Sequence, residues 1–215
     1  MIRKTFLGIL LLASAASCAR PTFTEMVHVP PREGYETQLI EFRAQRDDYF
    51  ATDPASPLLP GEREDFGGLE YFEPDPSLYF VGDLQFYTEP EKLQLVTTSG
   101  KVREAERVGF VAFRIQDKPH RLQVYHLVDG SGGLFLPFQD GTTGEETYPA
   151  GRYLNLIPSS ETGPYEMDFN RAYNPSCAYG GADRFACPVT PPENRLDVPI
   201  AAGERGRQHG QPAGS

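Results

Sequence analysis

Glycine and proline, scattered along most of this chain, cut it into short runs of alternating apolar and polar residues, and that limits what it can fold into. The 21 glycines and 20 prolines are dispersed and not gathered in tracts, so most runs meet a turn before a long helix can propagate. The runs fall at 69–73, 78–87, 92–98, 107–115, 121–128, 133–138, 151–157 and 165–169. A period of two sends successive side chains to opposite sheet faces. In 107–115, Gly109, Val111, Phe113 and Ile115 share one face and Val108, Phe110 and Ala112 the other, so both faces are expected to be covered. Strands of this number and length predict a mainly β, single β-sandwich or barrel-like domain. One N-terminal helix is predicted beside it, from Tyr35 to about Phe50, where Leu39, Phe42, Arg46 and Tyr49 recur at three- and four-residue steps. Leu39, Phe42, Tyr49 and Phe50 are its expected buried stripe, and Asp53-Pro54 ends it. Residues 54–66 read as a loop, and there is no internal repeat.

The two ends of the chain read differently. Arg3 and Lys4, the apolar run Phe6 to Ala13 and the small residues Ala15, Ala16 and Ser17 make residues 1–17 a bacterial secretory signal peptide. The apolar run is shorter than the roughly 20 residues a membrane-spanning helix needs. Ala15-Ala-Ser-Cys18 resembles the lipobox of bacterial lipoproteins, with Ala15 where leucine is usual, which implies a lipidated Cys18 as first mature residue. An ordinary signal peptide with Cys18 as a free thiol is the alternative. Residues 18–34, with Pro21, Pro30 and Pro31, read as the lipidated cysteine and a tether, 35–204 as the β-rich domain and 205–215 as a disordered tail. The expected location is the bacterial cell envelope, lipid-anchored and facing the periplasm or exterior, with the membrane met through the acyl chain at Cys18. Loss of residues 1–17 removes two positive charges from a net −10, giving −12 over the remaining 198 residues. Nucleic acid is thereby excluded as an expected partner.

No stretch spells a complete catalytic motif. Asp129-Gly-Ser-Gly-Gly133 inverts the acid–serine order of a protease nucleophile loop and reads as a hairpin turn. There is no nucleophile elbow, phosphate loop or zinc helix, and the acids of Asp140-Gly-Thr-Thr-Gly-Glu-Glu146 lack calcium-loop spacing. No metal or cofactor is expected. His28 and His209 fall in the tether and tail, whereas His126 shares a strand face with Leu122, Val124 and Val128 and is expected to be packed. Cys177 and Cys187, left as a pair once Cys18 is acylated, are read as a disulfide closing the loop around Gly180-Gly181, with a metal or thiol-chemistry role as the alternative.

Phe66 to Phe72, Leu134 to Tyr148, Gly151 to Tyr153 and Asp168 to Glu204 together resemble the bacterial and archaeal family catalogued as domain of unknown function 1684, over about residues 35–204. That resemblance supplies no catalytic residue. The candidates come from chemistry: Asp140, Glu145, Glu146, Tyr148, Arg152, Asp168, Asn170, Arg171, Tyr173, Asn174, Asn194, Arg195 and Glu204 crowd where a core segment would be apolar. Arg152, Arg171 and Arg195 offer planar forks for acids or an anionic ligand. Three readings stay open: a structural network holding an irregular backbone, a site for a small-molecule or envelope ligand, and a hydrolytic site pairing Asp168 with Asp140, Glu145 or Glu146. Arg152, Arg171 and Asp168 are expected in one cluster beside the cysteine loop.

Overall fold

The computed structural model describes residues 23–130, 133–160 and 163–206. The signal peptide expected at 1–17, Cys18 and the expected tail beyond Gly206 lie outside the described residues. Eight antiparallel strands form one sheet: β1 (Val27–His28), β2 (Tyr79–Gly82), β3 (Gln85–Val96), β4 (Val102–Ile115), β5 (Lys118–Leu127), β6 (Leu134–Phe138), β7 (Arg152–Pro158) and β8 (Tyr165–Asp168). Their order is β1-β2-β8-β7-β6-β5-β4-β3, so the sheet is a curled half-barrel with two free edges and not the paired layers of a sandwich. Its curl is set by local chemistry. Register shifts interrupt β3 between Phe86 and Glu91 and β4 between Arg107 and Gly109, and such bulges bend a strand. Gly109 permits the crossing, since a Cβ there would lie 3.0 Å from the Phe86 Cα.

The two faces carry separate cores. The concave face holds Phe80, Val111, Phe113, Leu122, Val124, Leu136, Phe138, Leu154, Leu156, Met167 and Phe169, and the extended segment Leu196, Val198, Ile200 and Ala202 fills what remains of the interior. On the convex face, Leu95, Ala105, Tyr125, Leu127, Phe135 and Tyr153 form one cluster, and Tyr35, Leu39 and Tyr79 form another. The second cluster is where the long helix α1 (Tyr35–Thr52) packs. α1 is not the single helix expected: α2 (Pro60–Arg63) lies in the segment read as a loop, and α3 (Cys177–Gly180) lies in the cysteine loop.

The structure departs from the sequence-based expectations at several points. Run 69–73 forms only an isolated bridge, Tyr71 to Glu204, and run 78–87 divides into β2 and the start of β3. Met26 to His28, expected in the tether, pair with the sheet, and buried Met26 bonds through its amide to the Ala112 carbonyl. His126 is exposed: it follows Leu122 and Val124 in the alternation of β5 but, paired with Glu106, lies beyond the end of their core. Tyr49 is 38% exposed and Tyr35 takes its place in the helix stripe. Arg205 and Gly206, assigned to the tail, bond to Glu70 and Glu146 carbonyls.

Candidate binding groove

A break in one ladder opens the site. β7 and β8 pair at Pro158–Tyr165 and Ile157–Glu166, then part, and β7 next finds a partner in the isolated bridge Tyr153–Tyr173. The extra residues on the β8 side form a 3-10 turn, Phe169–Arg171. Asn155 and Asp168 are left facing the gap on the convex side, with α1 across from them. Two adjoining cavities result. The larger, about 370 Å³, lies among Phe135, Tyr153, Arg103 and the wall Ser176 to Pro188, and the smaller, about 290 Å³, among Phe42, Ile157, Glu166, Asp168 and Arg171. Arg46, Asn155 and Tyr173 line both and form the waist between them.

Arg46 sits on the inner face of α1, one turn before buried Phe50. Its Nη2 donates to Glu204 Oε2 at 2.8 Å, and its guanidinium lies 5.6 Å from the Phe50 ring centre and 5.0 Å from that of Tyr173. Glu204 is fully buried and also accepts from Asn174 Nδ2 at 3.0 Å and from the Tyr179 hydroxyl. Burial pushes the Glu204 carboxyl up, against the pull of Arg46 and Tyr179. Burial also opposes the Arg46 charge, but Glu204, Tyr71 and Tyr179 outweigh it and leave the guanidinium raised. Gly203 delivers Glu204 to this spot with φ +76, where a Cβ would press on the Phe169 carbonyl at 2.6 Å.

The remaining candidates separate into distinct networks. Arg152 and Asp140 form a pair with both side chains wholly enclosed, Nη2 to Oδ2 at 2.9 Å, and Arg152 also donates to the carbonyls of Ile200, Ala202 and Glu204. Asp140 Oδ1 accepts from the Thr142 and Ile200 amides, which makes the 140–143 turn an anchor for the interior segment. Asp168 accepts from the Tyr35 hydroxyl at 3.0 Å and from the Asn170 amide at 3.0 Å, and it forms an ion pair with Arg171 Nε at 3.5 Å. Asn170 is clasped to the Asp75 backbone, and Asn194 ties β5 to β6 through Gln123 and Pro137. Cys177 and Cys187 are bonded to each other. Tyr148 is half-buried, Arg195 and Glu145 are exposed, and Glu146 faces Arg205 at 3.5 Å.

Arg171 and Asp168 are therefore together as expected, but Arg152 is not with them. Continuing the β7–β8 register would set Asn155 opposite Asp168, and Arg152, three residues along, points to the other face of the strand. Nor do the acids of the hydrolytic reading converge: Asp168 lines the groove, whereas Asp140, Glu145 and Glu146 line neither cavity. Among the described residues, no His, Cys, Asp and Glu are grouped in a way that could hold a metal ion. Arg46, which lines both cavities, and Tyr179, which supports it through Glu204, are not among the candidates drawn from the sequence. The signal for Arg46 is its place on the apolar stripe of the helix.

Asp168→Asn gives a signed test of this geometry. Burial raises the Asp168 carboxyl above the usual range, outweighing the hydrogen bonds from Asn170 and Tyr35 and the charge of Arg171. A carboxyl raised in the folded state adds stability that is complete below its unfolded pKa and is lost as pH rises through the folded one. The stability of the native chain relative to Asp168→Asn should thus grow on acidification from pH 7 towards the ordinary carboxylate range, as read by urea denaturation at each pH. At pH 7 the substitution should cost about 1–2 kcal/mol, the scale of a disturbed buried hydrogen-bond set. A gap that narrows on acidification would contradict the assignment.

These features define a single-domain antiparallel β protein with a ligand-sized groove between its helix and the outer face of its sheet. The profile of the family described as "Protein of unknown function (DUF1684)" matches residues 64–205, and the chain belongs to that family. It is similar to the solution NMR structure of the uncharacterized protein from gene locus rrnAC0354 of Haloarcula marismortui, with 37% identity, a TM-score of 0.62, and coverage of 80% of this chain and 95% of that one. Comparison with curated proteins gives no match.

Proposed function

We propose that this protein is a binding module of the bacterial envelope, held to the membrane by a lipid on Cys18 and taking a small ligand in the groove between α1 and β7–β8. One observation carries the binding reading: the buried acids Asp140, Asp168 and Glu204 are each held by an arginine together with backbone or side-chain donors. A hydrolytic pair needs two carboxylates converging on one cavity in different protonation states, and these acids are instead committed to orienting their neighbours. The groove combines apolar walls with a few placed polar groups, as ligand sites do.

Asn155 is exposed at the waist, so Asn155→Trp should fill the groove while changing stability by no more than about 0.5 kcal/mol. Ligands found by thermal shift on the native chain should lose their effect in this variant. Retention of every ligand response would place binding elsewhere.

The anchor reading rests on the signal-like residues 1–17 and on Cys18. Among the described residues no helix is long and apolar enough to cross a membrane. Dual acylation gives stable attachment where a single chain does not. Cys18→Ser should move the protein from the membrane to the soluble fraction on cell fractionation, and continued sedimentation with membranes would refute the lipid anchor.

A further inference from the structure

We propose that the larger lobe of the groove takes a small monoanionic organic carboxylate with an apolar body, its carboxylate held at the waist by Arg46. This deepens the binding reading and rests on it. The charge distribution is the first ground. In a chain of net charge −10 the larger lobe presents Arg46 and Arg103 and no aspartate or glutamate, whereas the smaller lobe carries Glu166 and Asp168. An anion is therefore steered to one side of the waist.

The second ground is how Arg46 is held. A buried ion pair seldom stabilises a fold better than apolar side chains of the same volume, and Leu39 and Phe50 on the same helix face are apolar and buried. Yet Glu204, Asn174 and Tyr179 are assembled behind this one guanidinium. Its Nη2 is committed to Glu204 and its Nε is enclosed without a partner, with the buried Tyr71 hydroxyl close by. The arrangement fixes a planar donor group in the lining of both lobes, where a carboxylate matches it. Beside it the Tyr173 hydroxyl accepts from Asn155 Nδ2 at 3.2 Å, which leaves its own proton to donate.

The third ground is size and valence. About 370 Å³ lined by Leu127, Phe135 and Phe185 suits an apolar body of modest length. Arg46 is paired with Glu204 and Arg103 with Asp129, so the two arginines bring donors with little net positive charge, which suits one negative charge better than the two of a phosphate monoester.

Calorimetric titration of the full chain with phenylacetate, phenylacetamide and phenyl phosphate tests the inference. Phenylacetate should bind at least 10-fold more tightly than the other two. Arg46→Gln alone leaves Glu204 unpaired and endangers folding, so the pair is removed together as Arg46→Gln/Glu204→Gln, which should weaken phenylacetate at least 10-fold in a folded protein. Arg103→Gln, at a surface pair whose loss leaves folding intact, should weaken it several-fold. Equal binding of the amide, or tighter binding of the phosphate, overturns the carboxylate while leaving the groove a ligand site. No binding of phenylacetate at millimolar concentration overturns it as well. Phenylacetate binding undiminished by Asn155→Trp overturns both this inference and the reading of the groove beneath it.

Discussion

Asp140→Asn should lower the stability of the domain by about 3–5 kcal/mol, the loss expected when one member of a buried ion pair is removed and the other charge stays behind. Arg152 and Asp140 are both wholly enclosed, so no water can replace the carboxylate. Burial already pulls the Arg152 guanidinium down, and Asp140 is the first of the groups that hold its charge in place. The substituted amide would also turn a donor towards Arg152 or towards the amides of Thr142 and Ile200, whichever way it is oriented. Urea denaturation at pH 7 measures the effect. A loss under about 1 kcal/mol would show that the carbonyls of Ile200, Ala202 and Glu204 suffice for Arg152. Asp140 lies outside the groove, so whatever remains folded should bind ligand normally.

Replacing Cys177 and Cys187 together by alanine should cost roughly 3 kcal/mol, the chain-entropy value for a loop of this length. The closed loop carries Tyr179, which donates to Glu204, and ends in Phe185 to Cys187, which wall the larger lobe. Ligand affinity should therefore fall along with thermal stability, whereas a disulfide remote from the groove would affect stability alone. A melting temperature within a degree of the native one would show that packing and hydrogen bonds hold the loop unaided.

The sequence displayed what periodicity and composition govern. The helix begins at Tyr35 as its spacing indicates, most β runs coincide with strands, and the paired cysteines are joined. Leu196, Val198, Ile200 and Ala202 alternate as clearly as any strand, yet Pro199 among them removes a ladder donor and the polar residues before them mask the pattern. Partner choice was hidden more deeply. Whether Arg152 meets Asp168 or Asp140 depends on which face of β7 it occupies, and that is set by the register of β7 against its neighbours. The waist of the groove was obscured for a related reason. It joins Arg46 from α1 to Tyr173 and Glu204, far away in the chain, and only the wrapping of α1 over the convex face brings them together.

The filling of the half-barrel by Leu196 to Ala202 also orders events in time. The concave face of the sheet has no complete interior of its own: Phe138, Phe169 and their neighbours are covered only when this late segment lies down among them, secured by Asp140 and Arg152. During synthesis the strands can pair before that, but the apolar interior stays open to water until residue 202 has been made. A chain of this design completes its interior only with its last segment, so a truncation before residue 196 should leave the concave face open. The same plug that seals the finished molecule would keep the growing one unlocked.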